Sequence, residues 1–217
     1  MSEAYNSSLQ DNKELTFLGR LHQYLETAEE KILGDIDILL RSEYALNLGA
    51  FDDYLHSIML EHMVKMFSLE LEPTKPFKSF QMSMSIILDI LEENDYERRK
   101  DIYREKVSER IHHDSYLSEK AVDYVVKMIG VEKNIWELSA AQLKIPAKEV
   151  KELFNKAIKR RNAIVHEMDK NTSTGSKNPI TTDDVNKLIR LIVVIRSVIE
   201  HESSEIIKNA TQDTVIE

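Results

Sequence analysis

The sequence contains no cysteine, only five glycines and only four prolines among its 217 residues. Without cysteine it can form neither disulfides nor thiolate metal sites, and it is compatible with a reducing compartment. The scarcity of glycine and proline removes most chain breakers, which favours long helices over tight turns. These absences point to a helical fold whose chemistry depends on other side chains.

Long apolar runs are also lacking. The most apolar stretch, residues 188–199, contains Arg190 and Arg196, and it is shorter than the roughly 20 apolar residues with which a helix crosses a bilayer. Residues 1–14 lack the basic start and the apolar core of a signal peptide. We therefore expect a cytoplasmic protein without membrane association.

Charge is unevenly distributed along the chain. The formal net charge is −9, whereas proteins that bind a long stretch of nucleic acid are usually basic. Residues 144–161 differ from the rest, with seven lysines and arginines against two glutamates, a local balance of +5. Any contact with nucleic acid should therefore be local and involve this stretch, although a solvated helix face would show the same pattern.

Apolar residues recur with helical periodicity along nearly the whole chain, which predicts an all-α fold without a sheet. Helices are predicted for residues 11–41, 44–70, 79–91 and 96–111 and for a segment that starts at Ser118 and ends near Ile129, before Gly130. Trp136 lies in a short following segment. Two further helices are predicted, one with Pro146 in its first turn and one from Thr182 onward. Residues 171–179 are predicted as a loop, and the candidate linkers are residues 72–77 and 112–118. Because both linkers are short, we expect one domain over residues 1–217, with its core in residues 15–205 and a flexible tail after about residue 210.

The helix that starts near Pro146 carries the segment RRNAIVHEMD, residues 160–169. One face of this helix, which we call the seam, has the 4-3-4-3 spacing typical of helix packing and comprises Phe154, Ile158, Arg161, Val165 and Met168. Arginine at such a position is costly unless it is paired, or unless the seam opens onto a polar cleft or a partner chain. The alternative is that Arg161 extends into solvent or pairs with an internal glutamate.

A second face of the same helix combines polar groups. Asn162 and His166 lie four residues apart and therefore share a face, and Asp169 follows three residues later. A carboxylate at this spacing can accept a hydrogen bond from one imidazole nitrogen of the histidine and fix its tautomer. His166 is about 140° from Arg161 around an ideal helix, so the two side chains do not stack. The segment thus combines arginine, asparagine, histidine and an acid within nine residues, beside the most basic stretch of the chain. This combination favours a functional role over a structural one.

Arginine and histidine together can cleave RNA, because RNA supplies its own nucleophile in the 2′-OH. A histidine can move a proton to or from that hydroxyl. An arginine can bind the phosphate in bidentate fashion and stabilise the charge of the transition state. Cleavage would leave a 2′,3′-cyclic phosphate, would need no metal or other cofactor, and would spare DNA. One histidine cannot comfortably serve as both base and acid, whereas two copies at a two-fold interface could divide these roles.

Residues 161–166, Arg-Asn-Ala-Ile-Val-His, resemble the Arg-x4–6-His signature of HEPN domains in its frequent form with asparagine after the arginine. With Arg160, Glu167 and Asp169 the segment is similar to the RRNxIVHExD version of the RiboL-PSP-HEPN-like branch. Residues 49–56, GAFDDYLH, are similar to the early-helix segment of that branch, and Trp136 lies 25 residues before the motif. The resemblance covers roughly residues 15–205.

The resemblance implies an up-and-down bundle of four or five helices with extra helices. It implies a homodimer with both motifs facing a shared cleft, and in many members a metal-independent endoribonuclease used in toxin–antitoxin or antiviral systems. Carried over, Arg161 would contact the scissile phosphate, His166 would be the general acid and base, and Asn162 would orient one of them. Glu167, Asp169 and Arg160 would support the site. Lys156, Lys159 and Arg160 of the basic stretch are the candidate RNA-binding residues.

Two other interpretations remain open. The same domain could bind RNA, a nucleotide or a protein partner, such as an antitoxin or another defence protein, without cleaving anything. Alternatively the motif is a coincidence, which predicts Arg161 in an internal salt bridge.

Two further groups of residues contain histidines. His56, Glu61 and His62 have side chains of metal-binding type, but their spacing favours structural histidines. His112, His113 and Asp114 read as a polar turn. The methionines at positions 59, 63, 66, 82 and 84 are most simply core residues.

Overall fold

The structure is a computed structural model that describes residues 1–27, 36–171 and 173–213. Within these residues the chain forms helices and no strand, and the only ladder-type pairing is an isolated bridge between Lys170 and Lys177. The helices are α1 (Glu3–Thr27), α2 (Ile38–Phe67), α3 (Lys75–Lys78), α4 (Met84–Glu92), α5 (Tyr96–Ile111), α6 (Glu119–Met128), α7 (Ile135–Leu143), α8 (Ala147–Glu167) and α9 (Thr182–Asp213). The predicted all-α class is therefore confirmed.

Helix starts are predicted best where a capping side chain marks them. Asp95 and Ser118 accept hydrogen bonds from Arg98 N and Ala121 N, at 2.9 and 3.1 Å, so that α5 and α6 begin where the sequence predicts. Each of these bonds satisfies a backbone N–H group that has no partner within the helix. Gly130, with φ of +89°, follows α6 and ends it as predicted.

Two of the predicted helices have wrong boundaries. The single helix over residues 11–41 is instead α1, which begins at Glu3, and the first turn of α2, which begins at Ile38 after a turn at Ile36 and Asp37. Residues 28–35, which the predicted helix includes, lie outside the described residues. The helix predicted from residue 79 starts at Met84, where Ser83 caps it. Helix α9 runs to Asp213 and residues 214–217 lie outside the described residues, so the flexible tail after about residue 210 stays a prediction.

The chain divides into two compact units. The first unit comprises Met1–Ala4, Tyr54–Lys133 and the chain from Ile199, and the second comprises Tyr5–Asp53 and Asn134–Val198. Both predicted linkers lie inside the first unit. The prediction of a single domain remains a prediction.

The core of the first unit includes the C-terminal half of α2. Met59, Met63 and Met66 are buried there, as expected for core methionines, whereas Met84 of α4 is 68% exposed. Phe67 stacks on Tyr103 of α5 with ring centroids 4.1 Å apart.

The core of the second unit holds helix α8 in place. Phe154 of α8 is fully buried, and its ring contacts Phe51 of α2 and Trp136 of α7, with centroids 6.0 and 5.4 Å away. Val150 and Ala157 of α8 are also buried. The N-terminal two-thirds of α8 is thus anchored by apolar packing, and this fixes the direction in which its C-terminal part, with the Arg-Asn-His segment, projects.

Candidate functional site

Helix α8 carries all but one of the site residues predicted from the sequence. It begins after Pro146, whose extended backbone forms the N-cap, so this proline lies one position before the predicted first turn. It ends at Met168, which adopts the left-handed conformation with φ of +54°, followed by Asp169 with φ of +56°. Two consecutive non-glycine residues in this conformation are unusual and need support from their surroundings.

The seam of α8 is buried only at its N-terminal end. Phe154 is buried, Ile158 and Arg161 are half-buried, and Val165 and Met168 are 48% and 55% exposed. The apolar face that packs in the second unit therefore continues, beyond Arg161, as an apolar surface exposed to solvent. A partner chain that packed there would cover this surface.

Arg161 lies where the seam passes from core to surface. Its Nε is buried and has no hydrogen-bond partner among the described residues, and its Nη1 donates to Oδ1 of Asn162 at 3.2 Å. It forms no ion pair with any described residue, in contrast to the internal salt bridge that a coincidental motif predicts. A cation held in this way retains donors for an incoming anion such as a phosphate.

His166 is exposed in the last turn of α8. It shares its face with Asn162 and Lys159, both exposed, at the 159-162-166 spacing of successive helix turns. Through Asn162 the guanidinium of Arg161 is tied to this same face. The structure thus brings Arg161, Asn162 and His166 to one end of one helix, accessible to a ligand.

Asp169 is completely buried and makes a different set of contacts. Its Oδ2 accepts from Nη2 of Arg160 at 2.7 Å and from Nε of Arg41 at 3.1 Å, and its Oδ1 accepts from Nδ2 of Asn178 at 3.2 Å. No hydrogen bond joins Asp169 to His166 among the described residues. The carboxylate instead holds together α2, α8 and the loop that follows α8.

The two arginines of this cluster also bind the loop backbone. Arg41 donates to the carbonyl oxygen of Asn178 at 2.9 Å, and Arg160 donates to that of Pro179 at 2.9 Å. Asn178 in turn donates its backbone N–H to the carbonyl oxygen of Asp169 at 2.8 Å. We call Arg41, Arg160, Asp169 and Asn178 the carboxylate clamp, because it closes the loop onto the end of α8 directly after His166.

Sequence reasoning missed Arg41. The residue lies 128 positions from Asp169, so no spacing rule connects the two. The available signal was an arginine at the end of the apolar run Ile38–Leu40, where a buried charge needs a partner.

The remaining predicted residues divide between two surfaces. Lys159 lies on the exposed face with His166, whereas Lys156 and Arg160 line a cavity on another side of α8. Glu167 is exposed in the last turn of α8. Lys156 and Lys159 are three residues apart and are therefore neighbours on the helix surface, and the RNA-binding role of Lys156, Lys159 and Arg160 stays a prediction.

His56 and His62 of the first unit have structural contacts. His56 Nε2 lies 3.1 Å from the carbonyl oxygen of Ile111 and 3.0 Å from that of Asp114. His62 is fully buried between the carbonyl oxygen of Ile58 and the hydroxyl of Ser203, at 2.9 and 3.0 Å. Among the described residues no group of three or more His, Asp or Glu side chains is arranged to hold a metal ion.

The sequence profile of the RiboL-PSP-HEPN family matches residues 6–201. No curated protein and no solved structure matches the chain. In the part of the chain that the structure describes, no helix is both long enough and apolar enough to span a membrane. Because the profile match covers most of the chain, the chain belongs to the RiboL-PSP-HEPN family, as its motif predicts.

Proposed function

We propose that this RiboL-PSP-HEPN protein is a metal-independent endoribonuclease that acts as a homodimer, with Arg161, Asn162 and His166 as its catalytic residues. The observation that carries the proposal is the placement of Arg161. Its stem is part of the seam, it lacks an ion pair among the described residues, and its guanidinium is tied to the exposed face that bears His166. HEPN modules are often nucleases, and this arrangement is the one such chemistry needs.

The surface around the motif suits a local RNA contact. The chain is acidic overall, with a net charge of −9, so long-range attraction to RNA is weak and affinity depends on nearby cations. Lys159 and Arg161 supply such cations next to His166. Arg160 is held by the carboxylate clamp, which makes it a support for the end of α8 as well as a source of positive charge.

In the reaction that we propose, His166 of one protomer removes the proton of the RNA 2′-OH. The 2′ oxygen attacks the adjacent phosphorus and forms the 2′,3′-cyclic phosphate, while the bond from phosphorus to the 5′ oxygen breaks. The leaving 5′ oxygen takes a proton from the His166 side chain of the second protomer. Arg161 binds the non-bridging oxygens, whose negative charge grows in the transition state.

Substitution of the two signature residues tests this proposal. We expect the wild-type protein to cleave a mixed RNA pool in excess EDTA and to leave cyclic-phosphate ends. His166→Ala and Arg161→Ala should each lower the rate by about 10²-fold or more, since each removes acid–base or electrostatic catalysis. A DNA pool of the same composition should stay intact, because it lacks the 2′-OH.

Two matched variants control for the loss of a side chain. His201→Ala removes an exposed histidine from α9, and Arg98→Ala removes an arginine of α5 whose side chain is 76% exposed. Both should cleave at the wild-type rate. Equal cleavage by His166→Ala and the wild type would rule out His166 as the catalytic histidine.

A non-catalytic RNA-binding module is the second candidate function. The exposed face with Lys159, Asn162 and His166 can hold a phosphate without cleaving it. This function predicts that RNA binds to the wild-type protein and is recovered intact, and that binding weakens in Arg161→Ala. Within either function, a role in a toxin–antitoxin or antiviral system is part of the proposal, with an antitoxin or another defence protein as the partner.

A further inference from the structure

The second unit contains a cavity of about 640 Å³ that the proposed RNA chemistry does not use. Its floor is apolar and comes from α2, α8, α9 and the loop before α9. The buried floor residues are Tyr44, Ala157, Ile180, Leu188 and Leu191. The volume is within the range of about 300–1,000 Å³ that is typical of small-molecule sites.

The rim of this cavity is charged. Four cations, Lys156, Arg160, Lys187 and Arg190, face two carboxylates, Glu149 and Asp184, a balance of +2 in an acidic chain. The side chains from α8 share one face, because Glu149, Leu153, Lys156 and Arg160 are spaced by four, three and four residues. A cavity with an apolar floor and a basic rim fits an organic anion with an apolar body.

Two of the rim cations have no partner in the described part of the chain. Arg160 is paired with Asp169, and Lys187 with Asp183 at 2.6 Å. The carboxylate of Asp184 accepts from the backbone N–H and the hydroxyl of Thr181, at 2.9 and 2.7 Å. Lys156 and Arg190 make no ion pair with any described residue, so they are the cations that remain for a ligand.

The floor also offers one polar group. Burial raises the pKa of Tyr44 to about 12, although the positive charge of Arg160 acts in the opposite direction. The tyrosine therefore keeps its proton at neutral pH and can donate a hydrogen bond. Tyr44 thus offers a neutral donor, and Lys156 and Arg190 offer two cations that form no ion pair with any described residue. Together with the apolar floor, these groups can recognise a molecule that has an apolar body and one anionic group at its end.

We propose that this cavity binds a small amphipathic organic anion, which has an apolar or aromatic body on the floor and a phosphate, sulfonate or carboxylate between Lys156 and Arg190. This inference does not rest on the proposed catalytic residues, because none of Arg161, Asn162 and His166 lines the cavity. The cavity shares Arg160 with the carboxylate clamp, so an occupant would also contact the element that fixes the end of the helix bearing His166.

The experiment is a fluorescence titration of the full chain with anilinonaphthalene sulfonate, a dye with an aromatic body and one sulfonate. We expect saturable binding of one dye per chain. Arg190→Glu and Lys156→Glu should each weaken it by about tenfold, because each replaces an attraction by a repulsion. Leu153→Trp should abolish it by filling the cavity with an indole ring.

Matched controls separate this cavity from other surfaces. Lys148→Glu makes the same charge reversal at an exposed position of α8 outside the cavity, and Leu88→Gln removes an exposed apolar side chain from α4. Both should bind the dye as the wild type does, and circular dichroism should show all variants folded. Absent or non-saturable dye binding by the wild type, or equal binding by the wild type and Arg190→Glu, would overturn the proposal. Displacement of the dye by an RNA oligonucleotide would overturn it too, and would make the cavity a subsite for RNA.

Discussion

His62 is a histidine that its surroundings keep uncharged. It is fully buried in the first unit, and burial lowers its pKa to about 4, against the opposing effect of the hydrogen bond to Ile58. The carbonyl oxygen of Ile58 is an acceptor, so Nδ1 carries the proton and Nε2 accepts from the Ser203 hydroxyl. The neutral imidazole satisfies both neighbours, whereas a proton on Nε2 would place a charge in a buried site and would require the Ser203 hydroxyl to turn and accept instead.

This arrangement predicts a defined pH dependence of stability. The pKa of a histidine in the unfolded chain is about 6.5, which lies above the folded value of about 4, so protonation favours unfolding. The contribution of His62 is fully present above about pH 6.5 and is lost as the pH falls towards 4, at about 1.4 kcal/mol per pH unit. The free energy of urea unfolding between pH 4 and 7 should therefore fall less steeply in His62→Gln than in the wild type.

Glutamine is chosen because its amide can donate to Ile58 and accept from Ser203. His201→Gln, at an exposed position of α9, reports the effect of losing a histidine outside the core. Parallel curves for the wild type and His62→Gln would contradict the proposed linkage.

Two adjacent arginines show what residue-level reasoning can predict. The seam spacing identifies Arg161 as a charged residue on an otherwise apolar face, and the structure places it where that face leaves the core. The same spacing does not predict the contacts of Arg160, whose partners are Asp169 within a left-handed turn and Asn178 and Pro179 in the loop beyond it. Backbone turns of this kind in non-glycine residues leave no clear signal in a single sequence, because tertiary contacts stabilise them.

At the scale of the element, the C-terminal end of α8 depends on the carboxylate clamp. Asp169 is 0% exposed and Arg41 is 4% exposed, so their attraction is only weakly screened by water. The clamp also supports the consecutive positive φ angles of Met168 and Asp169. The carboxylate clamp thus supports, from the buried side, the exposed end of α8 that carries His166.

Asp169→Asn should destabilise the protein strongly. The substitution keeps the size of the side chain but removes the negative charge that Arg41 and Arg160 share, and breaking a buried ion pair from one side costs about 3–5 kcal/mol. Asp183→Asn is the matched control, because it breaks a pair with Lys187 whose side chains are 70% and 74% exposed, and such pairs contribute about 0–1 kcal/mol. Urea unfolding at neutral pH measures both, and a similar small loss in the two variants would show that the clamp does not support the fold.

The elements also show where boundary prediction succeeds. Helices α5 and α6 begin at caps that are visible in the sequence, Asp95 and Ser118, and both starts are confirmed. The apolar periodicity of residues 11–41 continues across the turn at Ile36 and Asp37 and predicts one helix, although Gly34 and Asp35 in the sequence are residue types that favour a chain break. A local cap or chain breaker is thus a better guide than an unbroken apolar pattern, because the pattern does not record where a helix ends.

At the scale of the whole molecule, the exposed part of the seam is an apolar surface that nothing in the described part of a single chain covers. Val165 and Met168 flank His166 in sequence and are about half exposed. Apolar side chains next to a charged Arg161 suit a surface that becomes buried between two copies, each of which supplies one histidine. The proposed dimer would therefore link association to catalysis.

Val165→Glu should separate the protomers and abolish RNA cleavage together. A glutamate on the seam would place like charges against each other across a two-fold axis and would desolvate both, which disfavours association. In sedimentation equilibrium we expect the wild type at twice its chain mass of 25.2 kDa and Val165→Glu at the mass of one chain. Leu69→Glu, which changes an 80% exposed leucine in the turn after α2, is the matched control and should remain dimeric and active. A Val165→Glu protein that stays dimeric and active would exclude the seam as the interface, whereas a monomer that still cleaves RNA would show that one histidine is sufficient for catalysis.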